Sequence, residues 1–308
     1  MHPSVVVVGS FVKDLTFRCR LFPRAGETVI GAFTSGPGGK GSNQAVAAAR
    51  AGARTRFVGA VGRDTFGAEA ARFLKSEGID ARLAIKPGAA TGAAGILVDG
   101  TSQNEIIVAL GASAALAPRD VPPAAVRGAR VVICQGEANA RINRHAFRLA
   151  RRFGAATVLN PAPMDRSFDR GILAWTDILI PNESEFEALI GRALGRGPRA
   201  IHAQARALGI ATVIVTLGRR GCLISTAGGW TLVAAHRVRP VDTTGAGDAF
   251  VGGFAAGLVR FRGDLLAAAR FGNATAALSV TRPGTAPSMP ERAEIDRLLR
   301  NRSGARSS

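Results

Sequence analysis

Residues 241–254 read VDTTGAGDAFVGGF. An apolar residue leads into a glycine-rich turn, and the turn runs into a helix pattern. Gly245 and Gly247 tolerate backbone angles that other residues avoid, and both stand just before that helix. The amides of Gly245, Ala246 and Gly247 can therefore converge at the positive end of the helix, a ready site for negative charge. Asp248 falls in the first helical turn, at the same place. A carboxylate there repels a bound anion, so simple anion binding does not call for it. Phosphoryl transfer does: the carboxylate takes a proton from a nucleophile while the amides stabilise charge developing on the transferred group. The plainer alternative is an acid placed only to favour a helix N-terminus.

Working outward, residues 36–52 read GPGGKGSNQAVAAARAG, a glycine-rich loop entering an alanine-rich helix. Gly36, Gly38 and Gly41 satisfy G-x-G-x-x-G, but no ribose-binding acid follows at the dinucleotide-fold distance. Lys40 is followed by Gly41 rather than Ser or Thr, so the loop is not a Walker A motif either. A lysine among glycines, with Asn43 one turn on, suits a hydroxyl-rich small molecule. A solvent-exposed turn lysine is the alternative.

The rest of the chain alternates short apolar runs with helical patterns, which predicts an α/β fold with a mostly parallel sheet. Strands are expected over residues 4–9, 55–62, 130–134, 157–159, 177–180 and 211–216. Polar groups recur after them: Asp14, Glu137, Asn160, Asn182 with Glu185, and finally Asp248. Parallel strands with right-handed crossovers bring such ends to one edge of the sheet, where α/β proteins bind ligands. Residues 27–33 and three segments within 81–112 (83–86, 94–99 and 105–110) alternate without helices between them. They are expected to form a small antiparallel sheet serving as a lid or dimer contact. Asn182 and Glu185 lie one helical turn apart. They suit either a largely hydrated Mg2+ or an N-terminal capping arrangement. Residues 303–308 are expected to fray.

Composition narrows the class. The 308 residues are 47% hydrophobic and 20% charged, as in soluble globular proteins. No apolar run approaches a membrane span, and the N-terminus lacks a basic leader. Cys19, Cys134 and Cys222 are odd in number and widely spaced, which suggests a reducing, cytoplasmic setting without disulfides or zinc. The net charge of +18 invites nucleic acid, yet only four of the 40 basic residues are lysine and the arginines are spread along the chain. With 6% aromatics and no tyrosine, stacking platforms for single strands are few. The expectation is no nucleic-acid partner and no membrane. The densest group, Arg141, Arg144, Arg148, Arg151 and Arg152, reads as a solvated helix face.

Four motifs, GGKGSNQAVAAARAG, PNESE, TLGRRG and DTTGAGDAF, occur in the order and spacing of a known family, over almost the whole chain. The chain resembles the ribokinase / phosphofructokinase-B family of sugar kinases. The early motif and the late VTRPGTAPSMP (280–290) resemble its ribokinase branch in particular. The resemblance implies one α/β three-layer sandwich over 1–308, with lid strands inserted from about 11–36 and 81–112. It implies ATP-dependent phosphorylation of a sugar at a primary hydroxyl, with ribose foremost. Another sugar, a nucleoside or a non-catalytic sensor are the rivals, and an intact Asp248 argues against the sensor. By resemblance Asp248 is the base and Gly245, Ala246 and Gly247 are the anion hole. Asp14, Gly39, Lys40, Asn43 and Glu137 would hold the sugar. Asn182 and Glu185 would serve Mg2+ and phosphate; Thr216, Leu217, Gly218, Arg219, Arg220, Gly221 and Asn273 would lie along ATP. Asp242, Thr244, Ser279, Arg282, Gly284 and Ser288 match positions that hold an activating K+, and the lid is the family's homodimer contact. One position departs. The family's asparagine two residues before Asp14 is Val12 here, a lost polar contact worth about 1–3 kcal/mol.

Overall fold

The computed structural model describes residues 2–101, 103–164 and 168–304, with side chains through residue 300. Its first part runs β1 (Val5–Val8), β2 (Val12–Arg18), β3 (Ala32–Gly38), α1 (Lys40–Arg50), β4 (Thr55–Val61), α2 (Thr65–Ser76), β5 (Asp80–Ile85), β6 (Gly92–Val98) and β7 (Asn104–Ala109). Then come α3 (Pro123–Val126), β8 (Val131–Gln135), α4 (Ala140–Arg152), β9 (Ala156–Asn160), β10 (Ile178–Leu179), α5 (Glu183–Ile190), α6 (Pro198–Arg206) and β11 (Thr212–Thr216). The last part is β12 (Cys222–Thr226), β13 (Gly229–Val233), α7 (Ala246–Arg260), α8 (Leu265–Ser279) and α9 (Arg292–Gly304).

The four valines of β1 are all fully buried, as a strand covered on both faces must be. Val5 and Val7 enter one core with residues of α1, α2, α7 and α8, and Val6 and Val8 enter a second with residues of α3 to α6. This alternation across β1 makes the middle layer of a three-layer α/β sandwich. The nine-stranded sheet has the order β13-β12-β11-β10-β9-β8-β1-β4-β5. Its strands from β11 to β5 run parallel, and the β12–β13 hairpin, which sequence patterning did not single out, continues it antiparallel.

A second, four-stranded sheet has the order β3-β2-β6-β7, with antiparallel outer pairs and a parallel central pair. Two expectations are corrected here. The segment around residues 83–86 is β5, which lies parallel beside β4 in the main sheet rather than in the lid. The crossover through α2 returns the chain to that sheet. The strand expected over 27–33 is Ala32–Gly38, because pairing with Val12–Arg18 extends from Ala32 to Gly38. Gly36 and Gly38, read as loop, are thus drawn into a strand by their partner. Of the expected frayed tail, residues 303 and 304 end α9, and 305–308 lie outside the described residues.

Candidate active site

The carboxyl ends of the parallel strands meet on one edge. β1 leads through Ser10 into β2, which carries Asp14; β8 ends at Gln135, with Glu137 beyond; β9 ends at Asn160. Asn182 follows β10 and bridges to Thr216 at the end of β11. α7 enters the same space from the facing layer. Gly245 caps it at φ 76°, the left-handed region that favours glycine, so the chain turns sharply into the helix. Asp248 is buried in the first turn. Asn43 donates to its Oδ2 at 3.1 Å, and Gln44 donates to its Oδ1 at 2.9 Å. Asn43 and Asp248, 205 residues apart, are therefore in direct contact.

On the lid side, Asp14 faces the strand pairing of β3. A Cβ added at Gly38 would lie 2.2 Å from the Asp14 carboxylate, so only glycine fits there. Burial, then the charges of Glu137 and Asp248, push the Asp14 carboxyl up to about 6, against a hydrogen bond with Thr285 and the charge of Lys13. Glu137 is buried. Ser10 donates to it through its hydroxyl, and the Lys40 backbone N–H donates at 2.8 Å. Burial raises the Glu137 carboxyl, although these donors and the Lys40 charge oppose it. Lys40 opens α1 behind Gly39, whose φ is 89°. The negative charge of Asp248, with Glu137 and Glu185, raises the Lys40 ammonium despite burial, so it stays charged among these three carboxylates. Ser10, Gly38 and Thr285 escaped the sequence reading, since nothing in their local spacing announces a partner far along the chain.

Two adjoining cavities open here. A cleft of about 700 Å³ is lined by Asn182, Thr216, Gly218, Arg219, Gly221 and Asn273, with Phe250, Ala276, Ala277 and Val280 forming an apolar wall. A smaller cavity of about 180 Å³ is lined by Lys40, Asn160, Asn182, Glu185, Gly245, Ala246, Gly247 and Asp248. Asn182, Thr216, Thr243, Ala246 and Gly247 line both. The start of α7 and Asp248 therefore stand where the two spaces meet. Two residues expected along the cleft do not line it. Leu217 turns into the core, and Arg220 pairs with Glu183. Asn273 reaches the cleft wall while its amide donates to the Val233 carbonyl at 3.0 Å.

Asn182 and Glu185 form a full capping box: Asn182 Oδ1 accepts from the Glu185 N–H, and Glu185 Oε2 accepts from the Asn182 N–H, both at 2.8 Å. Burial raises the Glu185 carboxyl, with Asp248 adding to it and the Asn182 N–H and Lys40 opposing. Asp242 joins two loops, accepting from Thr244 N–H at 2.9 Å and from Gly284 N–H at 3.0 Å. These donors hold its carboxyl below the usual range against the effect of burial. Ser279 and Ser288 are buried nearby in sequence, with hydroxyls turned to Ala276 and Thr285 carbonyls. The Arg282 guanidinium points away to Glu294. Among the described residues, no group of three or more His, Cys, Asp or Glu could hold a metal ion.

An α/β sandwich with a lid, a carboxylate at a glycine-capped helix start and a nucleotide-sized cleft define a small-molecule phosphotransferase. The family model of the pfkB family carbohydrate kinases matches residues 2–292, and the chain belongs to that family. It is 38% identical over 305 residues to the ribokinase of Mus musculus, covering 96% of this chain and 94% of that one. It is 37% identical over 303 residues to the deoxyribokinase of Salmonella typhi, covering 96% and 98%. The structure of Arabidopsis thaliana ribokinase complexed with ribose and ATP superposes with a TM-score of 0.88 at 31% identity, over 97% of this chain and 99% of that one.

Proposed function

We propose that this sugar kinase transfers the γ-phosphoryl group of ATP to the primary hydroxyl of ribose, giving ribose 5-phosphate and ADP. One observation carries the reading: the buried Asp248 carboxylate stands beside the helix-start amides where the large cleft and the small polar cavity meet. In this reading the apolar wall of Phe250, Ala276 and Val280 takes the adenine, and Gly218 and Arg219 flank the phosphates. Asp14, Lys40, Asn43 and Glu137 hold the sugar hydroxyls. Asp248 accepts the hydroxyl proton as the oxygen–phosphorus bond forms and the bond to ADP breaks, while the amides of Gly245, Ala246 and Gly247 stabilise the equatorial oxygens. Lys40 keeps the crowded carboxylates compatible with an anionic co-substrate.

Asn182 and Glu185 fit a Mg2+ held mainly through water, since the half-buried Glu185 carboxylate lines the smaller cavity and the Asn182 amide lines both. The ion would neutralise phosphate charge. Asp242, Thr244, Ser279, Gly284 and Ser288, with the backbone at Arg282, are proposed to hold K+ and so order the turn into α7. The exposed apolar side chains Phe17, Ile30, Phe33 and Ile107 of the lid region support a homodimer through that face. The three free cysteines suit a cytoplasmic enzyme.

A 2-deoxy sugar is the second reading. Val12 is buried two residues before Asp14 on the same strand face, so the wall beside Asp14 is apolar. The test is ADP release with ATP over ribose, 2-deoxyribose, fructose and a nucleoside, in K+ and in Na+. Ribose is expected to give the highest kcat/KM, with K+ stimulating. An advantage of 2-deoxyribose above about tenfold, roughly 1.4 kcal/mol, would replace ribose. Asp248→Asn is expected to lower turnover by roughly 10²–10⁴ with little change in binding, and near-normal turnover in the folded variant would remove Asp248 as the base.

A further inference from the structure

Gln44 is fully buried, yet every polar atom of its amide is engaged. Its Nε2 donates to Asp248 Oδ1 at 2.9 Å and to Asn160 Oδ1 at 3.0 Å. Its Oε1 accepts from Gln135 Nε2 at 2.7 Å. Asn160 cannot turn over, because its own Nδ2 donates to the Ile180 carbonyl at 2.9 Å. Each amide thus dictates the orientation of the next. The chain of bonds starts at the ends of β8 and β9 and stops at Oδ1 of Asp248.

A second observation shows that the arrangement is built at some cost. Gln135 Oε1 is buried without a hydrogen-bond partner. Rotating its amide would not pair it, because that would set oxygen against Gln44 Oε1 and lose the donor given there. A Cβ at Gly9 would lie 2.1 Å from the same atom, so Gly9 leaves the space the Gln135 amide occupies. Burying an unpaired acceptor is unfavourable, and here it secures the donor that fixes Gln44.

We propose that Gln44, locked by Gln135 and Asn160, is the positioning residue for Asp248 in phosphoryl transfer. It anchors Oδ1 and leaves Oδ2, shared with Asn43, turned toward the substrate hydroxyl. The inference rests on Asp248 being the base.

The experiment is Gln44→Met, close in length but without the amide, measured alone and combined with Asp248→Asn. Alone, kcat should fall about tenfold or more while KM for sugar and ATP stays within about twofold. In the Asp248→Asn background the same change should produce no further loss. A decline that persists there, or a matching rise in KM, means a structural role and overturns the inference. Unchanged kcat in Gln44→Met overturns it too. Asp248→Asn by itself reports separately on the base. If Gln44→Met does not fold, Gln44→Asn decides: one methylene shorter, its amide no longer reaches Asp248 Oδ1, and kcat should fall with KM retained. A folded Gln44→Asn of parental kcat would then overturn the assignment.

Discussion

Asp14 shows how a single residue can oppose folding in favour of function. Its carboxyl is held at about 6, above the ordinary 3.8, first by burial and then by Glu137 and Asp248. With the folded pKa raised, the favourable contribution is complete below pH 3.8 and is lost as pH rises through about 6. Above that pH the ionised group opposes folding by at most about 3 kcal/mol. Asp14→Asn should therefore leave Tm near the parent's at pH 4 and raise it relative to the parent by pH 7, while sugar binding is lost. Parallel Tm curves from pH 4 to 8 would show that Asp14 does not carry the strain. Such a cost suits a group meant to meet sugar hydroxyls and to be relieved by them.

At the scale of elements, the site depends on α7 pressing closely against α1. Gly252 makes this possible, since a Cβ there would lie 2.5 Å from both Ala47 Cβ and the Gln44 carbonyl oxygen. Asn43 and Gln44 on α1 reach Asp248 on α7 only across this contact. Gly252→Ala should cost about 1–3 kcal/mol by overpacking and also lower kcat by separating Asp248 from its donors. Denaturant melts and turnover on the same preparation check this, and a stable variant of full activity would refute the coupling. The start of α5 separates two roles differently. Glu185→Gln keeps an acceptor for the Asn182 N–H, so the capping box and Tm should survive. The Mg2+ concentration for half-maximal rate should rise several-fold. A Mg2+ titration superimposable on the parent's would leave the pair a cap and nothing more.

For the whole molecule, surface chemistry divides into two kinds. Some of the arginines that dominate the +18 charge are tied into the fold. On α4, Arg144 pairs with Asp169, Arg151 lies 3.5 Å from Asp177, and Arg148 and Arg151 sit over the Trp175 ring at 5.9 and 5.3 Å. The lid has the opposite character: Ile107 is 79% exposed and Ile30 is 99% exposed, with the exposed Phe17 and Phe33 in ring contact. Apolar area of this kind seeks a partner. The parent should sediment as a dimer at micromolar concentration, and Ile107→Asp should yield a monomer. A parent that stays monomeric at that concentration would exclude the lid as a stable contact.

The sequence determined most of what is local. The β-branched run of β1, the glycine turn before Asp248 and the N-terminal signals at Asn182 and Glu185 each declare their conformation within a few residues, because steric limits and caps act over that range. The recurrence of polar residues after apolar strands was enough to gather Asp14, Glu137, Asn160, Asn182 and Asp248 on one edge. Only the tertiary structure decided what depends on distant pairing. β5 could have joined either sheet by its pattern, and Gly36 and Gly38 read as loop until β2 paired with them. Leu217 and Arg220, within one motif, part from Gly218 and Arg219 because the turn faces core on one side and Glu183 on the other. Gln44 is the sharpest case: beside Asn43 in an alanine-rich helix it is one more polar residue, and its role exists only where α1, α7 and the ends of β8 and β9 converge. A hydrogen bond between residues 204 apart leaves no periodicity in the chain, since it is set by packing and not by spacing.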